Sequence, residues 1–264
     1  MRVSIITVCF NSERYIEETI KSVINQTYND IEYIIVDGMS TDSTPQIIEK
    51  YRSHITKYLR GKDKNMYDAI NKGMAASTGD FIEILNSDDL LYDKYVIENV
   101  VKKINGLKNK YEVYYGYEID YYQNYHLFCK NLKFDVSYRQ LLCSKKLTYV
   151  GHGAVFISRR VYHCVGNYEC DIIKAASDYD YMLRAIKLYK FKYINIPIQL
   201  FRRHNESITS SGIIEKETNI VLTNNGYYDV PIVVRKLLFY KDLARYYLKN
   251  LIPLIRLYIK IHFN

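Results

Sequence analysis

Four clusters of acids, amides and hydroxyls carry the chemistry legible in this chain: Thr7 to Asn11, Asp37-Gly38, Asp63, and Asn86-Ser87-Asp88-Asp89. The last offers hard oxygen ligands at a spacing suited to a divalent ion. Magnesium or manganese takes one or two carboxylates and fills its remaining positions with water and substrate phosphates, so an ion there would neutralise a departing diphosphate. The same four residues would serve equally well as the cap of a following helix. Asp37 closes an Ile-Ile-Val run and precedes Gly38 and Ser40. Its carboxylate can accept a hydrogen bond from a base N–H or a ribose hydroxyl, or it can form an Asx turn at the strand end. The chain has no GxGxxG after its first apolar run and no GxxxxGK[ST]. Neither a dinucleotide-binding turn nor a P-loop is available to hold phosphate, and a metal is the natural substitute.

Each cluster follows an apolar run that reads as a buried strand. Val3 to Phe10 is continuous and β-rich, and Ser12 is placed to cap a helix carrying Tyr15, Ile16, Ile20, Val23 and Ile24 at helical spacing. Tyr33 to Val36 is a second strand, and Thr44-Pro45 opens a second helix as N-cap and first-turn proline. A strand near Ile55 to Leu59, a helix over Met66 to Ala76, a strand over Asp80 to Leu85 and a helix from Asp93 to about Ile104 complete the series. Strands alternating with helices in this way are parallel βαβ units, and ligands bind beyond the carboxyl ends of such strands. The four clusters therefore belong to one edge of a doubly wound α/β sheet. After Lys110 the alternation stops: a tyrosine-rich strand region, a strand at Gly151 to Ile157, a helix from about Asp178 to Leu188, and strands at Phe191 to Ile196 and Ile198 to Arg202 are expected.

The balance of 48% hydrophobic and 25% charged residues belongs to a globular protein and excludes a disordered one. A net charge of +8 points to an anionic partner: nucleic acid, an anionic membrane surface or a phosphorylated substrate. The five cysteines are scattered without a CxxC pair, which argues for reduced thiols in the cytosol and against a disulfide or zinc framework. Met1 to Phe10 lacks the features of a signal peptide, and no apolar run approaches the roughly 20 residues of a membrane span. Residues 231–264 carry seven Lys/Arg against the single acid Asp242, interleaved with Leu, Ile, Val and Tyr. Such a basic amphipathic segment suits an anionic membrane surface; the alternative is a helix packed on the domain with a solvated basic face.

Val3 to Asn11, Ser22 to Tyr28, Asp37-Gly38-Met39-Ser40-Thr41-Asp42, Met66 to Gly73 and Leu85 to Asp89, in this order, resemble the family 2 glycosyltransferases of GT-A fold over about residues 1 to 210. The resemblance implies that Asp37 contacts the base, usually uracil, that Thr7 and Asn11 border the nucleotide, and that Asp63 and Asp68 lie beside the ribose and donor. Asn86, Ser87 and Asp88 then form the DxD segment, with Asp88 on the metal. Ala176 to Arg184 is similar to the segment bearing the family's catalytic base, which places that role on Asp178. Phe201 to Ser207 resembles the later segment in which a histidine, here His204, completes the metal or diphosphate site. His152 stands where the acceptor side is lined. Three positions depart from the pattern: Asn86 replaces the first DxD acid, Asn65 replaces a glycine while still tolerating a left-handed backbone, and Ser177 replaces the acid before Asp178, so that Asp180 on the acceptor side competes for the base role. Apart from the resemblance, Asp178 could simply open its helix, where the dipole favours acids, and His204 could be structural.

These implications define a GT-A catalytic domain over residues 1–212, with a nucleotide-binding half at 1–105 and an acceptor-side half at 106–212, followed by a basic, membrane-associating segment at 213–264. The expected activity is inverting, Mn2+- or Mg2+-dependent transfer of glucose, galactose or N-acetylglucosamine from a UDP-sugar. The expected acceptor is a polyprenyl-diphosphate-linked saccharide of O-antigen, lipopolysaccharide or other surface-polysaccharide assembly, with a β linkage formed at the inner face of the cell membrane. No nucleic-acid partner is expected, since no aromatic-basic RNA motif is present. A sugar-phosphate nucleotidyltransferase is the main competitor, but its glycine-rich basic loop is missing after the first strand. A non-catalytic nucleotide-sugar binder is the other.

Overall fold

The computed structural model describes residues 1–108, 110–122, 125–126, 134–143, 150–204 and 213–244. The first part runs β1 (Val3–Cys9), α1 (Ile16–Ile24), β2 (Ile31–Asp37), α2 (Thr44–Lys50), β3 (Lys57–Arg60), α3 (Met66–Ala76), β4 (Phe81–Ile84), β5 (Leu90–Leu91) and α4 (Val96–Gly106). The second runs β6 (Val113–Tyr122), β7 (Tyr125–His126), α5 (Tyr138–Cys143), β8 (Val155–Ser158), α6 (Arg159–Val165), α7 (Ser177–Leu188), β9 (Phe191–Arg202) and α8 (Ile213–Asn224). A last helix, α9, covers residues 232–244.

One mixed sheet has the order β3-β2-β1-β4-β8-β6-β9-β5, with β7 paired to β6. The first four strands are parallel; β8 then runs antiparallel to β4 and to β6, β9 is parallel to β6, and β5 is antiparallel to β9. Because side chains alternate across a strand, β1 feeds two cores. Ile6 and Val8 face Tyr67, Ile70 and Met74 of α3, in a cluster that also takes Met182 and Leu183 of α7 and Val221 and Leu222 of α8. Val3, Ile5 and Cys9 face Ile16, Ile20 and Val23 of α1 together with Val96, Ile97 and Val100 of α4. Each fully buried aliphatic side chain stabilises by about 1.5–3 kcal/mol relative to exposure, so burial of β1 on both faces fixes the middle of the sheet.

Helix α3 has the ends expected from the sequence. Elsewhere the structure departs in detail. α1 starts at Ile16, and Ser12 does not cap it: its hydroxyl meets that of Ser87 at 2.8 Å. The strand expected from Gly151 is a tight turn over His152–Ala154 before β8 begins at Val155. The two strands expected between Phe191 and Arg202 are the single strand β9, which passes through a register shift opposite Tyr115–Tyr117, with Asn195 at φ 52°. Such a bulge keeps a long strand paired while it bends.

Candidate functional site

The loops after β1 and β2 are tied together. Asn11 adopts φ 50°, a left-handed conformation that asparagine tolerates. Its N–H donates to Ser40 Oγ at 2.9 Å, and its Oδ1 accepts from the Thr41 N–H at 2.9 Å. Asp37 is fully buried. One of its oxygens accepts the Ser40 N–H at 2.8 Å, and the other accepts from Tyr58 Oη and Arg60 Nε, both at 3.0 Å. Thr7 lies deeper: it is wholly buried, and its hydroxyl accepts from Tyr33 Oη at 3.2 Å, so its side chain braces the sheet beneath this edge.

Lys72 on α3 joins Asp63 at 2.5 Å to Asp68 at 3.2 Å. Hydrogen bonding to Asp63 raises the Lys72 ammonium above its usual range. Burial pushes the Asp68 carboxyl upward, but the Lys64 N–H and the Lys72 ammonium outweigh it and hold that carboxyl low. Asp63 Oδ2 is buried without a partner and lies 3.1 Å from the point where a side chain on Gly38 would begin. Asp63 therefore closes on the Asp37-Gly38 loop. Asn65 does not use the left-handed backbone expected of it. At φ −168° it is extended and caps α3, accepting from the N–H groups of Tyr67 and Asp68, while its amide donates to the Cys170 carbonyl at 2.6 Å.

The Asn86–Asp89 turn divides its acids. Asp89 is 1% exposed and points into the fold. Its carboxylate accepts from the Arg202 N–H at 2.8 Å, from Asn86 Nδ2 at 3.2 Å and from Gln199 Nε2, and its carbonyl accepts from Thr19 Oγ1 at 2.8 Å. Burial, with the neighbouring Asp88 charge, raises its carboxyl well above the usual range. Asp89 is thus an anchor between the turn and β9, leaving Asp88 as the acid that faces the edge. Asp88 Oδ2 stands 2.8 Å from His204 Nε2. Arg202 fastens the same turn: its Nε donates to the Asp88 carbonyl at 2.9 Å, and its guanidinium lies over the rings of Tyr15 and Tyr121, 4.7 and 5.2 Å from their centroids. Asn205, Glu206 and Ser207, the rest of that expected segment, lie outside the described residues.

On α7 the two competing acids differ. Asp180 Oδ2 is held by Arg184 Nε at 2.8 Å, and that arginine also donates to the carbonyls of Val165 and Asn167. Asp178 accepts at Oδ1 from its neighbour's N–H at 2.8 Å and from Tyr67 Oη at 3.2 Å; among the described residues no hydrogen bond engages Oδ2. Tyr67 comes from α3, so this bond links α7 to α3. The Tyr67 ring stacks on Tyr168 (centroids 5.8 Å apart), which stacks on Tyr181 (4.1 Å), and Tyr168 Oη meets His152 Nε2 at 3.1 Å. Burial lowers the His152 imidazole, against the pull of the Asp178 charge. Glu118 on β6 also belongs here. Its carboxyl is pushed up to about 7 by burial and by the charges of Asp120 and Asp178. Gly151 and Gly153 pack against this group: a Cβ at Gly151 would meet the Glu118 carboxylate and one at Gly153 the Gln199 amide. Glu118, Tyr67 and Arg202 were not singled out from the sequence, although Tyr67 and Arg202 stood within its motifs.

All these groups sit at the carboxyl ends of β1–β4 and the facing ends of β6 and β9. A cavity of about 500 Å³ opens at the opposite end of the strands, beside Met1, Asp80 and Ser158, away from them. The family model described as "Glycosyl transferase family 2" matches residues 4–166. The chain belongs to glycosyl transferase family 2. An uncharacterized glycosyltransferase of Mycobacterium tuberculosis is 29% identical over 184 residues, 69% of this chain and 68% of that one. A PGL/p-HBAD biosynthesis glycosyltransferase of Mycobacterium bovis is 26% identical, covering 81% of each. The fold is that of S. aureus TarS 1–349, solved with UDP-GlcNAc (TM-score 0.71, 17% identity, 94% of this chain and 73% of that one). It is also that of the Pyrobaculum calidifontis mannosyltransferase PcManGT, solved with GDP-Man and Mn2+ (TM-score 0.59, 13% identity, 92% and 73%). The architecture of this family 2 transferase is therefore GT-A.

Among the described residues, no group of three His, Cys, Asp or Glu converges as a self-sufficient metal cage. The donor set nevertheless fits an ion completed by substrate: Asp88 supplies a carboxylate, His204 an imidazole, and the buried Asn86 Oδ1 and His204 Nδ1 have no partner among the described residues. Cys9, Cys143, Cys164 and Cys170 are free thiols; Cys129 lies outside the described residues. Among the described residues, no helix is long and apolar enough to cross a membrane.

Proposed function

We propose that this family 2 glycosyltransferase moves glucose, galactose or N-acetylglucosamine from a UDP-sugar to a polyprenyl-diphosphate-linked saccharide, with inversion and Asp178 as base. The observation that carries the reading is the difference between the two acids of α7: Asp180 is committed to Arg184, whereas among the described residues Asp178 keeps one oxygen unengaged and is oriented through the other by Tyr67. In the transfer an acceptor hydroxyl attacks the anomeric carbon, its proton passes to Asp178, and the bond from that carbon to the diphosphate oxygen breaks. A positioned base contributes about 10²–10⁴-fold. Asp37 would receive the base of the nucleotide, with Asn11 shaping the loop above it and Asp63 and Asp68, held by Lys72, beside the ribose. Asn86, Ser87 and Asp88 would border the diphosphate. A divalent ion, Mn2+ or Mg2+, would be held by Asp88 and His204 and would supply charge neutralisation for the leaving diphosphate. His152, with Tyr168, would line the acceptor side. The UDP-GlcNAc bound by TarS supports the donor class, and the Mn2+ bound by PcManGT supports the ion.

The lipid-linked acceptor, and a role in O-antigen or related surface-polysaccharide assembly at the inner face of the cell membrane, draw support from α9. Its outward face exposes Ile232, Val233, Leu237 and Tyr240 beside Lys236 and Lys241. Basic residues near anionic headgroups contribute about 1 kcal/mol each, added to the apolar burial. Removal of residues 231–264 should abolish flotation with anionic vesicles; unchanged flotation would refute the membrane contact. The activity is tested by UDP release from a panel of UDP-sugars with lipid-linked acceptor, in manganese or in EDTA. Metal-dependent release from one donor establishes the reading. UDP binding without release under any condition would overturn it in favour of a nucleotide-sugar-binding protein.

A further inference from the structure

Glu217 lies on α8 and is 8% exposed. Its Oε2 accepts three consecutive backbone N–H groups, from Lys174 at 2.9 Å, Ala175 at 2.5 Å and Ala176 at 3.1 Å. These residues form the approach to α7, and Asp178 is in that helix's first turn. The amino end of α7 has no cap of its own: Ala176 has no side-chain acceptor to offer, and among the described residues the buried Ser177 hydroxyl has no partner. The Ala176 N–H stands at the helix start and those of Lys174 and Ala175 precede it, and a carboxylate there is favoured by the dipole and by charge-assisted hydrogen bonding. Here the acceptor arrives from 41 to 43 residues further along the chain.

We infer that Glu217 is a positioning residue for the transfer: by clamping residues 174–176 it sets where the Asp178 carboxylate stands relative to Tyr67 and the acceptor hydroxyl. The inference rests on Asp178 being the base. It makes α8 a working part of the site, and it separates two duties of that helix. Val221 and Leu222, both 0% exposed, hold α8 in the core together with Leu141, Leu142 and Leu183, so loss of the Glu217 carboxylate leaves the helix docked.

The test is a double-mutant cycle on the full chain, with kcat, donor KM, UDP affinity and thermal midpoint measured for Glu217→Ala, Glu217→Gln, Asp178→Asn and the double variants. A displacement on the order of 1 Å at a reacting group costs about 10²-fold, so Glu217→Ala should lower kcat roughly 10- to 100-fold, with donor KM and UDP affinity little changed. Glu217→Gln, which keeps an oxygen acceptor, should recover most of that loss. The Asp178→Asn/Glu217→Ala protein should be no slower than Asp178→Asn alone, because a clamp has nothing to position once the base is gone. Should Glu217→Ala fail to fold, the same non-additivity is read from Glu217→Asp, which keeps the carboxylate but is one methylene too short to hold all three N–H groups. An unchanged kcat in Glu217→Ala, or a loss that multiplies with that of Asp178→Asn, would overturn the inference while leaving the base in place. Wild-type turnover by Asp178→Asn would overturn the base and the inference together.

Discussion

In residues 1–72, the acids at the sheet edge find their partners close by in sequence. Asp37 is 23 residues from Arg60, and Asp63 is 9 from Lys72. In the rest of the site the spans are long: 116 residues from Asp88 to His204, 110 from Asp89 to Gln199 and 111 from Tyr67 to Asp178. Parallel βαβ units deliver successive strand ends to one edge and let short loops hold their own side chains. The antiparallel return through β8, β6 and β9 can only complete the site by reaching back. The difference teaches that the proposed nucleotide side is locally prepared, whereas the proposed reacting centre is assembled from three distant parts of the chain. Substitutions on the two sides should then fail in different ways.

The largest expected effect is that of Asp178→Asn, which should lower kcat by about 10²–10⁴-fold while UDP affinity, measured by calorimetry, is retained. Asp88→Ala should cost about 10²–10³-fold in kcat through poorer stabilisation of the leaving diphosphate, and its residual rate should no longer respond to manganese. Asp37→Ala, on the locally prepared side, should act on donor KM more than on kcat; a pure kcat effect would break the contrast between the two sides. Smaller effects should appear in stability against pH. Burial pushes the Glu32 carboxyl upward, but hydrogen bonds from Ser4 and Thr78, with the Lys57 ammonium, outweigh it and hold that carboxyl down to about 2. Its contribution is present above the ordinary carboxyl value of 4.5 and is lost as pH falls toward 2. Glu32→Gln should therefore destabilise by about 1–3 kcal/mol at neutral pH, with the deficit shrinking in acid. Glu118 has the opposite sign: held up to about 7, it contributes below 4.5 and loses that contribution as pH rises through 7. Glu118→Gln should raise the thermal midpoint by a few degrees in mild alkali and leave it unchanged in acid, as followed by circular dichroism.

The same division governs what could be read from the sequence. Met66 to Ala76 shows helical periodicity, and Val3 to Cys9 is an unbroken apolar run, so both elements announce themselves locally. The turn at Gly151–Gly153 does not, because its cause is the bulk of Glu118 and Gln199 on other strands. Nor does the burial of Asp89 beside the outward-facing Asp88, which depends on β9 arriving with Gln199 and Arg202. His204 was named through the family motif and stands 2.8 Å from Asp88. Asp178 and Asp180 are indistinguishable by spacing; only Arg184 on one and Tyr67 on the other separates them. Glu217 gave no signal at all, since its partners are backbone groups of a distant loop, and backbone groups have no sequence signature. Helix α8, read as the start of a basic tail, buries Val221 and Leu222 in the same core as α7.

The short strand β5, pairing Leu90 with Leu200, also fixes an order of events during synthesis. Elongation at about 5–20 residues per second leaves roughly 5–20 s between the emergence of the Asn86–Asp89 turn and that of the strand that locks it. Through that interval the ribosome has made the residues of the proposed nucleotide side and not yet those of the proposed reacting centre. On the proposed assignment, a half-made enzyme of this kind would have the parts to take up its donor but not to break it, which would spare the cell a premature, water-directed waste of activated sugar.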